Sequence, residues 1–227
     1  MRGIFVTGTD TGVGKTRVSC MILAALRERG ERAVGMKPIA SGCETTSEGL
    51  RNDDALRLQA VSEIDDYGTV NPIAFAPPIA PHIAAERENR AISLDVIERA
   101  YARLAARADR VVVEGAGGWR VPLATGGPTM AEIPKRLRLG VVLVVGIRLG
   151  CLSHALLTAE AVRADGLTLL GWVANCLDPD VAEKDAQIAT LVRSLAAPLL
   201  GVVPYLGDAD THVPLDLDPI VSAEEDR

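Results

Sequence analysis

Along this chain, short unbroken apolar runs alternate with longer segments in which apolar residues return every three or four positions. The runs are Gly3–Thr7, Ala33–Met36, Arg110–Val113, Val141–Ile147, Leu169–Ala174 and Leu199–Val203. None alternates polar with apolar, so each predicts a strand covered on both faces, as in a parallel sheet. The segments between them, clearest at Thr16–Arg29, Leu94–Ala108, Leu152–Asp165 and Val181–Leu195, predict helices. In Leu94–Ala108 the residues Ile97, Ala100, Tyr101 and Leu104 fall on one stripe. Such alternation joins parallel strands through right-handed crossovers and puts helices on both faces of the sheet. The expectation is one three-layer α/β domain over residues 1–227 with a mostly parallel sheet. The Pro-rich stretch Ala74–Pro81 cannot be helix interior and predicts an extended loop.

Composition narrows what such a domain can do. With 48% hydrophobic and 24% charged residues the chain is globular, and with only 3% aromatics it offers no row of platforms on which bases could stack. The formal net charge of −6 sits in Gly207–Arg227, where Asp208, Asp210, Asp216, Asp218, Glu224, Glu225 and Asp226 accompany a single base, Arg227. The remainder is near neutral and presents no basic face, which excludes nucleic acid as a partner. The acidic end is expected to be a solvated, frayed tail. Four cysteines (Cys20, Cys43, Cys151, Cys176) and three histidines (His82, His154, His212) are too scattered for a zinc site or a disulfide scaffold, and read as inert thiols of a reducing cytosol. The first strand begins almost at once, leaving no signal peptide, and the most apolar stretch, Gly140–Ile147, is too short to span a bilayer. A cytoplasmic protein without membrane partners is expected.

The chemistry starts at Gly8-Thr9-Asp10-Thr11-Gly12-Val13-Gly14-Lys15-Thr16. It follows a strand and opens a helix, the setting of a phosphate-binding loop. Gly12 and Gly14 let backbone amides approach anionic oxygens, and the helix start adds its positive dipole end. Lys15 suits the outer phosphates and the Thr16 hydroxyl suits Mg²⁺. The first glycine lies one residue earlier than in the usual spacing, with Thr9 in its place. Acidic partners for a metal are sought at the carboxyl ends of the strands, the ligand edge of an open α/β sheet. Glu114 ends the strand Val111–Val113 and enters Gly115-Ala116-Gly117-Gly118; Asp53 and Asp54 follow Asn52 at the start of a short helix, where capping is the rival role for Asn52 and Asp53. Lys37 ends the second strand and is placed either for an anionic substrate or as a surface lysine, and Ser41 shares its turn. Arg148–His154 joins a buried strand to a helix and offers amides to a second anion, with His154 read as a packed helix residue. Asn175 ends another strand, as a base reader or a turn former, and Pro204-Tyr205-Leu206 follows the last strand as a wall of the same pocket.

Taken together, Thr7–Thr11, Val13–Thr16, Lys37-Pro38, Ser41-Gly42, Gly49–Asn52, Val70–Pro72, Pro81-His82, Val113–Trp119, Leu149–Cys151 and Gly171–Asn175 resemble dethiobiotin synthetase, in order from about residue 3 to 206. The resemblance implies a carbon–nitrogen cyclo-ligase of biotin synthesis that uses ATP and Mg²⁺ to close the ureido ring of dethiobiotin on 7,8-diaminopelargonate and CO₂. It implies a carbamate, then a carbamic–phosphoric anhydride, then ADP and phosphate. By matching position it makes Lys37, Lys15 and Thr11 catalytic, and gives the metal to Thr16, Asp54 and Glu114. The nucleotide goes to Gly12–Thr16, Asp54, Glu114, Gly115–Gly117, Asn175, Cys176 and Pro204–Leu206, and the substrate to Thr11, Lys37, Ser41, Gly117 and Leu149–Leu152. It also implies a homodimer, with the Leu149–Cys151 turn reaching a carboxylate held mainly by the other subunit. The sequence departs from the family at Gly12, where many members carry Glu, at Ser153, often Asn, and at Arg148, often Lys.

Two rival readings share the phosphate loop. One is a related ATP-dependent ligase acting on another substrate. The other is a nucleotide-switched partition or positioning ATPase, which would place a second lysine five residues before Lys15, where this chain has Asp10.

Overall fold

A computed structural model describes residues 3–62, 64–207, 211 and 213–225. In chain order the strands are β1 (Gly3–Gly8), β2 (Ala33–Met36), β3 (Ile39–Ser41), β4 (Glu44–Thr46), β5 (Gly49–Arg51), β6 (Ile73–Phe75), β7 (Arg110–Gly118), β8 (Gly140–Ile147), β9 (Leu169–Cys176) and β10 (Leu199–Val203). The helices are α1 (Lys15–Glu28), α2 (Asp53–Ser62), α3 (Tyr67–Val70), α4 (Pro81–Arg87), α5 (Leu94–Ala105), α6 (Glu132–Leu137), α7 (Cys151–Ala164), α8 (Lys184–Ser194) and α9 (Asp218–Glu225).

The six apolar runs form one sheet in the order β10-β9-β8-β1-β7-β2, parallel at every pairing. Because side chains alternate across a strand, successive residues feed opposite cores. Ile4, Val6, Val112, Val142 and Val144 pack with Val18, Ile22 and Leu26 of α1 and Leu58 of α2. Phe5, Val111, Val113, Val141, Leu143 and Val145 pack with Ile97 and Leu104 of α5, Ala155 and Ala159 of α7, and Leu191 of α8. Three layers result, as the pattern predicts.

The connection leaving β1 runs to β2 on one side of the sheet, whereas that leaving β8 runs to β9 on the other. The crevice between the carboxyl ends of β1 and β8 is therefore a topological switch point, where open α/β sheets bind ligands.

Four expectations need correction. Glu114 lies inside β7, not at its end, because β7 continues to Gly118. The register explains this: Val6 faces Glu114 and Gly8 faces Gly118, so three residues of β1 span the same length as five of β7. The surplus throws Gly115–Gly117 out toward the ligand edge, as bulges near functional sites do. The Pro-rich stretch is not wholly loop: Ala74 and Phe75 belong to β6, and Pro81 opens α4 at the position where a missing N–H costs nothing. Ser41 ends β3, paired with Phe75, instead of sitting in a turn. The acidic end is not a free tail over its described part. Leu215, Leu217 and Ile220 are buried in the α1-side core, and the Asp216 amide donates to the Leu200 carbonyl at 2.8 Å. Alternate apolar residues there bury while Asp216 and Asp218 stay outside. Asp208, Asp210, His212, Asp226 and Arg227 lie outside the described residues.

Candidate active site

Gly14 is where the phosphate loop turns into α1. Its φ of +87° is a left-handed conformation that suits glycine, and a Cβ there would lie 2.1 Å from Asn175 Nδ2. α1 then starts with no side-chain cap, which leaves its first amides directed at the cleft. Beneath the loop, Asn175 Nδ2 donates to the Val13 carbonyl at 2.8 Å. The amide of this buried asparagine thus supports the loop, while Oδ1 is buried with no partner among the described residues.

Lys15 is buried, and its Nζ donates to the Asp10 carbonyl at 2.8 Å. Burial, and after it the Lys37 ammonium, lowers the Lys15 pKa to about 8. Thr16 Oγ1 donates to Glu114 Oε1 at 2.9 Å. Lys37, 4% exposed, donates through Nζ to the same Oε1 at 2.5 Å and to Asp54 Oδ2 at 2.8 Å. It is a buried residue of the site and no surface lysine. Burial alone would lower its pKa, but Glu114 and Asp54 outweigh that and hold the ammonium above its ordinary value. Burial likewise pushes Asp54 up, and the Lys37 charge and hydrogen bond overcome it to hold the carboxyl low. Glu114 is fully buried, and its Oε2 has no partner among the described residues.

These groups open on one cleft of about 820 Å³. Thr11, Gly12, Ser41, Ala116, Gly117, Cys176 and Tyr205 line it as well. So do residues the sequence did not single out: Arg17, Arg57, Ile79, Val121 and Leu177. Arg57 follows Asp54 by three positions on α2, so helical spacing alone could have found it. Arg17 Nη2 donates to the Gly207 carbonyl at 2.6 Å, tying α1 to the loop after β10. No sequence pattern signals that contact.

Other expected residues stand back from the lining. Val13 is buried beneath the loop, Gly115 presents its carbonyl 3.5 Å from Lys37 Nζ, and of Pro204–Leu206 only Tyr205 reaches the cleft. The turn Leu149–Leu152 also lies outside it. Leu149 is 97% exposed, Gly150 has a φ of +94°, and α7 starts without a side-chain cap, as α1 does. The Cys151 amide is taken by the Arg148 carbonyl at 3.0 Å and its buried thiol donates to Gln187 Oε1 at 3.2 Å. His154 is exposed, not packed. Arg148 Nη2 reaches Asp10 Oδ2 at 2.5 Å, bridging the switch-point crevice, while Asp10 Oδ1 accepts the Thr11 amide at 2.7 Å. Among the described residues no helix is long and apolar enough to cross a membrane.

Comparison with known proteins adds to this geometry. An AAA domain family profile matches residues 2–213. The ATP-dependent dethiobiotin synthetase BioD of Cellvibrio japonicus is 51% identical over 226 residues, 98% of this chain and 99% of that protein. The ATP-dependent dethiobiotin synthetase BioD 1 of Salmonella typhi is 49% identical over 224 residues, 96% and 98% of the two. Among solved structures, a chain of the MinC:MinD cell division protein complex of Aquifex aeolicus superposes with a TM-score of 0.55 at 14% identity, covering 91% of this chain and 83% of that one. That last likeness is one of fold alone.

Proposed function

The chain belongs to the ATP-dependent dethiobiotin synthetases, and on that premise we propose that its cleft closes the ureido ring of dethiobiotin on 7,8-diaminopelargonate and CO₂. The observation that carries the residue assignment is the buried Lys37 ammonium shared by Glu114 and Asp54 beside the phosphate loop. One amine of the substrate adds to CO₂ and loses a proton, giving a carbamate. A carbamate oxygen attacks the γ-phosphorus of ATP and the bond to ADP breaks. The second amine then adds to the carbonyl carbon of the resulting anhydride, loses its proton, and phosphate leaves with the C–O electron pair.

The phosphoryl transfer brings two anions together, and the other two steps bring a neutral amine to a carbonyl carbon, so charge and position are what the protein supplies. The phosphate loop and the open start of α1 hold the triphosphate. Lys15 exchanges the Asp10 carbonyl for phosphate oxygens. Lys37, Thr11 and Ser41 face the carbamate, and Lys37 counters the charge that grows as the phosphoryl group transfers. Asn175 Oδ1 suits the exocyclic amine of adenine, with Cys176, Tyr205 and the loop Pro204–Leu206 around the base. Gly115–Gly117 border the phosphates and the diamine, and Leu149–Leu152 are the turn for its far carboxylate, shared across a homodimer.

The donor set fits Mg²⁺. Thr16, Asp54 and Glu114 offer hard oxygens, and Glu114 Oε2 is buried without a partner among the described residues. No group of three or more His, Cys, Asp or Glu side chains that could hold a metal occurs among the described residues, so phosphate oxygens and water would complete the ion's shell. When bound, Mg²⁺ supplies charge neutralisation on the phosphates. A single domain working in the cytoplasm is part of the same reading.

The test is phosphate release from ATP with Mg²⁺ and bicarbonate, with and without 7,8-diaminopelargonate, with mass spectrometry of the product. Diamine-dependent release matched one-to-one by dethiobiotin is the expected result. Nucleotide binding with no diamine-dependent turnover would overturn the substrate assignment.

A further inference from the structure

Of the three side chains that meet at Lys37 Nζ, only Glu114 is carried by a strand paired on both sides, β7. Lys37 lies just beyond β2, the edge strand, and Asp54 rides on the first turn of α2, outside the sheet. The far end of α2 is tied to β2 by the Gly35 amide, which donates to Ser62 Oγ at 2.7 Å; at the Asp54 end it is Tyr67 that lies between the two elements. Its hydroxyl accepts the Asn52 amide at 2.8 Å, at the entrance to α2, and donates to Asn71 Oδ1 at 3.2 Å. Asn71 Nδ2 in turn donates to the Lys37 carbonyl at 2.6 Å, while the Lys37 amide donates to the Val70 carbonyl at 2.8 Å.

Tyr67 and Asn71 are both buried, so these bonds are shielded from competing water. Burial pushes the Tyr67 phenol up, which keeps it a hydroxyl able to donate. The Arg51 guanidinium lies 4.3 Å from the ring centroid and holds the ring independently of the hydroxyl.

We infer that Tyr67 is a positioning residue: its hydroxyl sets the distance between Lys37 and Asp54 by joining the start of α2 to the backbone of Lys37. The inference rests on the proposed roles of Asp54 toward Mg²⁺ and of Lys37 toward the carbamate. Asp54 would be displaced without this link, whereas the phosphate loop, which is held from beneath by Asn175 through the Val13 carbonyl, would not.

Tyr67→Phe removes the hydroxyl and keeps the ring under Arg51. Binding of ADP to the full chain is measured by calorimetry with EDTA and with Mg²⁺, for wild type and variant. The expected result is equal affinity in EDTA and a magnesium-dependent gain reduced about three- to tenfold, the scale of one hydrogen bond. In the dethiobiotin assay kcat falls by a similar factor and KM for ATP at saturating Mg²⁺ changes less. An unchanged gain, equal losses with and without magnesium, or a wild type with no magnesium gain would each overturn the positioning role. A wild type that shows the Tyr67-dependent gain but makes no dethiobiotin would overturn the proposed reaction and leave Tyr67 in place.

Discussion

The ammonium of Lys37 stands 2.5 Å from the carboxylate of Glu114, a group with no exposure to solvent. Such a pair is tolerated because each ion compensates the other; either alone would be an uncompensated buried charge. In this chain the same lysine also reaches Asp54, so one cation holds two carboxylates together at the mouth of the phosphate loop.

Lys37→Ala is expected to lower kcat about 10²- to 10³-fold, the usual effect of removing one transition-state charge. ATP affinity in the presence of Mg²⁺ should move only a few-fold. The variant should also lose about 3–5 kcal/mol of stability in EDTA, since Glu114 is left unpaired, and recover part of it with Mg²⁺. Steady-state kinetics and denaturant titration read the two effects separately, and unchanged turnover would remove Lys37 from the mechanism.

Lys15 gives the reaction a pH dependence whose sign follows from its lowered pKa of about 8. A lysine whose folded pKa lies below its unfolded one destabilises the fold at pH below about 8, and that cost is relieved as pH rises toward 10.5. Triphosphate favours the ammonium, so ATP binding near pH 9 should take up a proton, while binding near pH 6.5 should take up almost none. Calorimetry in buffers of different ionisation enthalpy measures the uptake. Uptake equal at the two pH values would show that Lys15 does not change its protonation on binding.

Asn175→Ala removes the 2.8 Å bond to the Val13 carbonyl and the Oδ1 proposed for the base. ATP affinity is expected to fall roughly 5- to 30-fold, the sum of two modest hydrogen bonds. Competition with GTP reads the two roles apart. A loss for ATP alone marks the base contact, and an equal loss for both marks the loop support.

Leu217→Ala tests whether the chain end belongs to the core. Leu217 is fully buried, so the change should cost about 2–5 kcal/mol in denaturant unfolding. A cost near zero would return the segment to the status of a tail.

The six strands, the phosphate loop and Glu114 as an acid at the ligand edge were legible because each rests on a local pattern: an apolar run, a glycine spacing, an acid after three valines. What was not legible is what depends on register and on contacts far apart in sequence. Glu114 was expected at the end of its strand because Gly115–Gly118 look like loop; only the pairing of Val6 with Glu114 and of Gly8 with Gly118 shows them as a bulged continuation. The acidic residues after Gly207 masked an alternation, Leu215-Asp216-Leu217, that is short but buried on one side. Tyr67 gave no signal because its role is to join residues 15 positions before it and four after it. The likeness to the MinC:MinD chain is one of fold, and Lys37, Asp54 and the Tyr67 link lie in the segments between the core strands of that fold.

α1 and α7 both begin at a glycine of positive φ, with no side chain to finish their first turns. Anions bound there, as the proposed function has them, would complete secondary structure that the sequence leaves open, and each tenfold excess of ligand over its Kd would add about 1.4 kcal/mol to the folded state. A cell poor in nucleotide or diamine would hold a looser population of this enzyme, and proteases would reach that population first. The amount of enzyme that survives would then follow the supply of what it consumes, with no regulator other than turnover.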